Sequence, residues 1–343
     1  LNKKRQEAAA RCERKRKKVQ LEIEIDPENI VSSCTKKFKS IVGRTIFRPT
    51  EITFTGESGL DAGGLTDRLC TEFMEKVQKD SQYFRFNKNS RFILPRGNMN
   101  KDKSQVLETF GRLMLKCLID NRVIQLHFPR CVYRFLLSKD WEELSTPQLL
   151  MDLKQVSPTD YNSFQGYISF SSKIHNLNLK FFDSKSKREV NVDSSNVEDY
   201  VRYECIRIMY GDCMKGLEAI RRGLLDTWSD FVEECGLNEI GLTSFQILLC
   251  GQDYLDPERV LMDMEREGLS KRIYGYICRY VENCGDKKLR QFLNFVTGLV
   301  GIPIGGFDPK IGIRGVKSGS LGSHTCFNRL DVPLGIKALK KLK

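Results

Sequence analysis

The amino-acid sequence predicts a mainly helical α+β chain in two unequal parts. Three observations carry this. Apolar residues recur at helical spacing along most of the 343 residues. A few short segments alternate apolar and polar residues instead. A composition break at Leu248–Glu258 (LLCGQDYLDPE), rich in Gly, Asp and Pro, separates a larger N-terminal body from a small C-terminal unit.

The elements follow in order. Residues 1–18 form a basic helical extension: Ala8, Ala9 and Ala10 favour helix, and Glu7/Arg11 and Glu13/Lys17 are i, i+4 pairs in the favourable order. Gln20–Ile25 and Glu51–Thr55 alternate and read as strands, with Ile52 and Phe54 on one face. The next segment, GESGLDAGGL (Gly56–Leu65), holds four glycines but neither a following GK[ST] nor GxGxxG spacing. Tight turns account for it better than a phosphate cradle.

Leu65, Leu69, Phe73, Met74 and Val77 then form one helical stripe, and Leu107, Phe110, Met114, Cys117 and Leu118 a second, with Ser104 as its expected cap. Phe128–Leu137 reads as a helix entered through Pro129. Residues 158–170 form a short aromatic-rich helix, and Leu177–Phe182 alternates. Ser195–Met209 is a helix capped near Asn196, with Val197, Val201, Cys205 and Ile208 inward and Tyr200 and Tyr203 off that stripe. Beyond the break, Ile273, Ile277, Tyr280 and Val281 mark one helix. Asp286 is the expected cap of the next, with Leu289, Phe292, Leu293 and Val296 inward.

Composition excludes several classes. No apolar run approaches the roughly eighteen residues of a membrane span, and the N-terminal residues have no apolar signal-peptide core. The chain begins with Leu, so a fragment of a longer protein is expected. Its 12 cysteines contain no CxxC pair, and with 3 histidines no zinc-ligand spacing arises. The expectation is a reduced, intracellular, cytoplasmic protein (the nucleus being the other compartment open to it) without metal or cofactor. The net charge of +12 is concentrated at the ends: nine Lys/Arg against two Glu in residues 1–18, and four Lys in residues 334–343. A nucleic-acid enzyme would spread such charge over a folded face, so nucleic acid is not an expected partner.

Cys326 is the candidate nucleophile. It lies in LGSHTCFNRLDVP (Leu321–Pro333), two residues after His324. The thiolate is the reactive form, and a nearby imidazole raises the ionised fraction. An extended segment would place His324, Cys326 and Asn328 on one face. The bland alternative is that Cys326 is a small buried hydrophobe.

Six segments, in order, resemble the HECT-type ubiquitin ligases: FTGESGLDAGGLTDRL (Phe54–Leu69), FGRLMLKCL (Phe110–Leu118), DLKQVSPTDYNSF (Asp152–Phe164), LLCG (Leu248–Gly251), FVTGLVGIPIGGF (Phe295–Phe307) and SHTCFNRLDVP (Ser323–Pro333). The resemblance runs from about residue 20 to residue 333. It implies a bilobal fold: a basic extension at 1–19, an N-lobe at 20–251 with a docking subdomain at about 158–203, a hinge at 252–257, and a smaller α/β C-lobe at 258–343. It also implies that Cys326 accepts ubiquitin as a thioester from a ubiquitin-conjugating enzyme and passes it to a lysine of a protein substrate.

His324 is the supporting residue, either tuning the thiol or holding the loop. Thr325 and Asn328 are expected to fix the loop through local hydrogen bonds. The resemblance aligns Phe164, Tyr167, Ile168, Tyr200 and Tyr203 with the apolar groove for the conjugating enzyme, or with the subdomain's own core.

Three departures from the family pattern stand out. Gly322 replaces a usual Pro, the span between Phe182 and Ser195 is short, and LGIKALKKLK (Leu334–Lys343) stands where the family has a helix, a strand and a near-terminal aromatic. Three other readings compete. One is a module that binds conjugating enzyme but is inactive in transfer because of its short C-terminus. Another is a cysteine hydrolase pairing Cys326 with His127 or His175. The third is a basic scaffold for nucleic acid.

Overall fold

The structure is a computed structural model that describes residues 20–57, 64–86, 92–137, 141–183, 186–234, 240–251, 255–299, 301–303, 306–317 and 320–334. The basic extension, the C-terminal tail, part of the glycine-rich turn and part of the expected hinge lie outside these residues.

Among the described residues the first half runs β1 (Leu21–Ile25), α1 (Ile30–Phe38), β2 (Thr50–Phe54), α2 (Gly64–Lys79), β3 (Phe84–Phe86), β4 (Ile93–Pro95), α3 (Lys101–Ile119), α4 (Arg130–Leu137), α5 (Thr146–Val156) and α6 (Pro158–Ser169). It continues through β5 (Lys180–Asp183), β6 (Arg188–Asn191), α7 (Val197–Ile206), α8 (Met214–Leu225), α9 (Trp228–Glu234) and α10 (Leu242–Cys250). Last come α11 (Pro257–Met262), β7 (Met264–Glu267), α12 (Lys271–Asn283), α13 (Asp286–Thr297), β8 (Ile311–Val316), β9 (Gly322–His324) and β10 (Arg329–Pro333). Helices outnumber strands, as the α+β reading requires.

Compact units do not follow chain order. One comprises Leu1–Lys76, Thr109–Leu126 and Gly223–Lys343, and the other Val77–Glu108 and His127–Arg222. This division cuts the chain differently from lobes at 20–251 and 258–343.

In the first unit β1 and β2 pair in parallel, with Ile23 opposite Ile52 and Ile25 opposite Phe54. All four are buried, as the alternation predicts. The C-terminal part of this unit has its own sheet, in the order β7-β8-β10-β9. β8 is parallel to both β7 and β10, while β9 is antiparallel to β10. Ile311, Ile313, Leu330 and Val332 point inward to Val281 and Leu293. Helix α13 packs on β9 and β10. The polar residues of the same strands face away, giving the period of two expected of a sheet covered on one side.

Caps correct two expectations. Asn100, not Ser104, caps α3: its Oδ1 accepts from the Lys103 N–H at 2.9 Å, and Ser104 lies in the first turn, accepting from Arg222 at 2.9 Å. Asn and Ser cap about equally well, so spacing alone did not separate them. Asp286 is the first helical residue of α13 after the Gly285 cap, and it receives Arg290 at 2.8 Å. A carboxylate there also meets the positive end of the helix.

Gly251 ends α10 with φ 75° and ψ −167°. That region is open almost only to glycine. A Cβ there would lie 3.1 Å from Val123 Cγ1 and 3.3 Å from the Ile302 carbonyl oxygen. Four residues on, Leu255 is buried in the C-terminal core. Asp256 then caps α11, accepting from the Glu258 N–H at 3.0 Å. Gly251→Ala is therefore expected to lower stability by about 1–3 kcal/mol. A thermal melt checks this, and an unchanged midpoint would refute the strain argument.

Candidate active site

Cys326 is carried by a tight turn. β9 ends at His324, residues Thr325–Phe327 make one 3-10 turn, Asn328 follows, and β10 begins at Arg329. His324 stands opposite Arg329, Ser323 opposite Leu330, and Gly322 opposite Asp331. The extended reading of this segment is thus corrected. The backbone reverses between His324 and Arg329, so strand alternation does not apply to Cys326 and Asn328.

The reversal rests on Asn328. Its φ is +48°, in the left-handed region where Asn is among the best tolerated side chains. Its N–H donates to the Thr325 carbonyl at 3.2 Å, closing the turn. Its Nδ2 donates to the Pro309 carbonyl at 2.6 Å, and its own carbonyl accepts from the Gly312 N–H at 2.9 Å. The turn is therefore pinned to β8 and to the segment before it. As expected, Asn328 fixes the loop.

His324 Nε2 lies 3.0 Å from Asp331 Oδ2. The same carboxylate accepts from Arg314 Nε at 2.8 Å and from Arg314 Nη2 at 2.7 Å. The Arg314 guanidinium first, then His324, holds the Asp331 carboxyl below the usual range. On the other side of the turn, a Cβ added at Gly298, the C-cap of α13, would meet Asp67 Cβ at 3.4 Å and Thr325 Cβ at 3.8 Å. Asp67 forms an ion pair with Arg122. The first turn of α2 thus lies beside the turn that bears Cys326.

Several buried thiols are unsuited to nucleophilic work. Burial pushes Cys34 and Cys131 well above the ordinary thiol range, and Cys205 and Cys213 up to about 12. Among the described residues no group of three or more His, Cys, Asp or Glu is placed to hold a metal ion. No helix there is long and apolar enough to cross a membrane.

The five aromatic and apolar residues of the small subdomain divide. Phe164 and Tyr200 are buried, while Ile168 and Tyr203 are exposed. Phe164, Tyr167 and Tyr200 stack in one cluster, with ring centroids 5.9–6.4 Å apart, and Phe181 joins Tyr200 and Tyr203 at 5.9 Å. Burial pushes the Tyr200 phenol up to about 12.

Tyr200 was expected off the core stripe of its helix. It is core because α7 is packed on three sides, by α5, α6 and β5, so its apolar stripe is wider than one row. The outward apolar face includes residues the sequence reading did not select: Phe170 at 69% exposure, Phe182 at 52% and Leu177 at 50%. For Phe182 the alternation of Leu177–Phe182 was the available signal, since it puts Phe181 and Phe182 on opposite faces; Phe170 and Leu177 carry no such signal.

Comparison with known proteins identifies the family. Residues 45–337 match the family described as HECT-domain (ubiquitin-transferase). The chain is 23% identical over 316 residues to the mouse (Mus musculus) E3 ubiquitin-protein ligase HUWE1, covering 85% of this chain and 7% of that protein. It is 23% identical over 323 residues to E3 ubiquitin-protein ligase ptr1 of Schizosaccharomyces pombe, covering 84% and 10%. It is 26% identical over 247 residues to a bifunctional serine/threonine-protein kinase/NEDD4-like E3 ubiquitin-protein ligase of Dictyostelium discoideum, covering 68% and 12%. The chain thus spans about a tenth of the length of these relatives. With the match extending over most of its length, the chain belongs to the HECT-domain (ubiquitin-transferase) family.

Proposed function

We propose that this chain is the catalytic module of a HECT-type ubiquitin-protein ligase in which Cys326 is the transient carrier of ubiquitin. The Cys326 thiolate attacks the thioester carbonyl of a charged conjugating enzyme. The new C–S bond forms as the conjugating enzyme's thiolate leaves. A substrate lysine amine then attacks the same carbonyl, releasing the Cys326 thiolate as an isopeptide bond forms. The amine proton passes to solvent. Exchange between thioesters is nearly balanced in energy, so the demands are a partly ionised thiol and close approach of large partners.

The observation that carries this reading is the place of Cys326: mid-turn between an edge strand and a central strand, inside the segment matched to the family. Gly251 and the linker after it are the proposed pivot, glycine tolerating the dihedral change a hinge absorbs.

Conjugating enzyme is proposed to dock on the subdomain of residues 158–203 through Ile168, Phe170, Leu177, Phe182 and Tyr203. Phe164 and Tyr200 act from beneath as the packed support of that face. Exposed aromatic and aliphatic side chains over a rigid base are natural anchors.

Two experiments test this. Mixing the chain with ubiquitin-charged conjugating enzyme should give a reductant-sensitive adduct that Cys326→Ala abolishes and Cys326→Ser converts into a thiol-resistant one. No adduct with any conjugating enzyme would support the inactive module, and peptide cleavage without ubiquitin the hydrolase. Separately, Phe170→Ala with Phe182→Ala should slow adduct formation about tenfold or more at limiting conjugating enzyme, the loss of roughly 1.4 kcal/mol of binding. The melting midpoint should not move. Undiminished loading in that double variant would remove the docking proposal.

A further inference from the structure

Outward-facing residues of the C-terminal sheet form several charge pairs. Lys310 pairs with Glu265 at 3.2 Å, and Arg329 with Glu267 at 3.1 Å. The Glu267 carboxylate lies over Gly312, where a Cβ would come within 2.4 Å of its Oε1. Arg329 stands directly opposite His324 in register but is drawn across the sheet toward β7. That leaves His324 to Asp331, which also holds Arg314 with both of its oxygens. One carboxylate, largely shielded from solvent, therefore ties three neighbouring strands: β8 through Arg314, β10 through its own backbone, and β9 through His324.

β9 needs such a tie. It has three residues, lies at the sheet edge and pairs with β10 alone. So short an edge strand holds weakly by backbone bonds and is drawn from the low-stability end of a fold. Charge-assisted bonds to a fixed carboxylate are about twice as strong as neutral ones. The Arg314 fork makes the carboxylate fixed, and the His324 ring makes the entry to the turn fixed in its place.

We propose that Asp331 is a positioning residue for Cys326, holding the turn through His324, and that His324 acts by this bond and not on the sulfur. The proposal rests on Cys326 as the ubiquitin acceptor, and its test has one arm that uses ubiquitin and one that does not. In single-turnover loading from charged conjugating enzyme, Asp331→Asn and His324→Ala should each lower the maximal rate about tenfold, as loss of alignment does. The concentration of charged enzyme giving half that rate should stay unchanged. The double variant should fall no further than the slower single one, since the two side chains act as a unit.

Alkylation of Cys326 by iodoacetamide, followed by peptide mass across pH, should keep its midpoint in His324→Ala. Amide hydrogen exchange over residues 325–328, measured without ubiquitin, should quicken about tenfold in both variants, and Asp331→Glu should recover part of the protection. A multiplicative loss in the double variant, or an alkylation midpoint moved to higher pH in His324→Ala, would overturn the proposal in favour of imidazole tuning the thiol. Unchanged exchange in the turn would overturn it outright, even with ubiquitin transfer intact. A wild-type chain that takes no ubiquitin, with exchange still responding to both variants, would instead sink the ligase reading and leave Asp331 as the brace of the turn.

Discussion

The C-terminal end of this chain depends on one constraint: β10 is a central strand that must be entered from its own edge neighbour by a four-residue turn. A parallel neighbour on one side and an antiparallel one on the other leave no backbone slack. The chain has to reverse within Thr325–Asn328, and a reversal that short demands a left-handed residue, which Asn328 supplies. Its side chain and carbonyl then spend their hydrogen bonds on Pro309 and β8, so the turn cannot drift from the sheet without leaving polar groups unpaired. Cys326 sits in the middle of this closely held turn.

That restriction suits the group transfer proposed for Cys326. A thiol that exchanges acyl groups between large partners gains from being presented at a fixed point on a small rigid body. The C-terminal sheet gives the body a continuous core from Leu255 to Val332. Gly251 is held in a backbone region that other residues enter only with strain, immediately before that core begins. Rigidity and the position of a conformational exception thus lie next to each other along the chain.

The small subdomain shows the same economy with aromatic residues. Phe164, Tyr167, Tyr200 and Phe181 pack one another, and their neighbours in sequence, Ile168 and Phe182, face out. A ring such as Tyr200, with its phenol pushed up by burial, stabilises the shape of that face from beneath.

Local signals settled much of this protein. Alternation placed β1 and β2, helical stripes placed α2, α3, α7, α12 and α13 with most of their buried residues, and the ordered motifs pointed to the family. These signals are short-range and survive in a single sequence because each is repeated along its element. Tertiary structure decided the remainder. The path of residues 324–329 followed from which strands pair, Tyr200 entered the core because three elements close on its helix, and the partner of His324 proved to be Asp331. Each of these depends on residues brought together by strand order or packing, and a pattern read along one chain carries no information on what stands across from it.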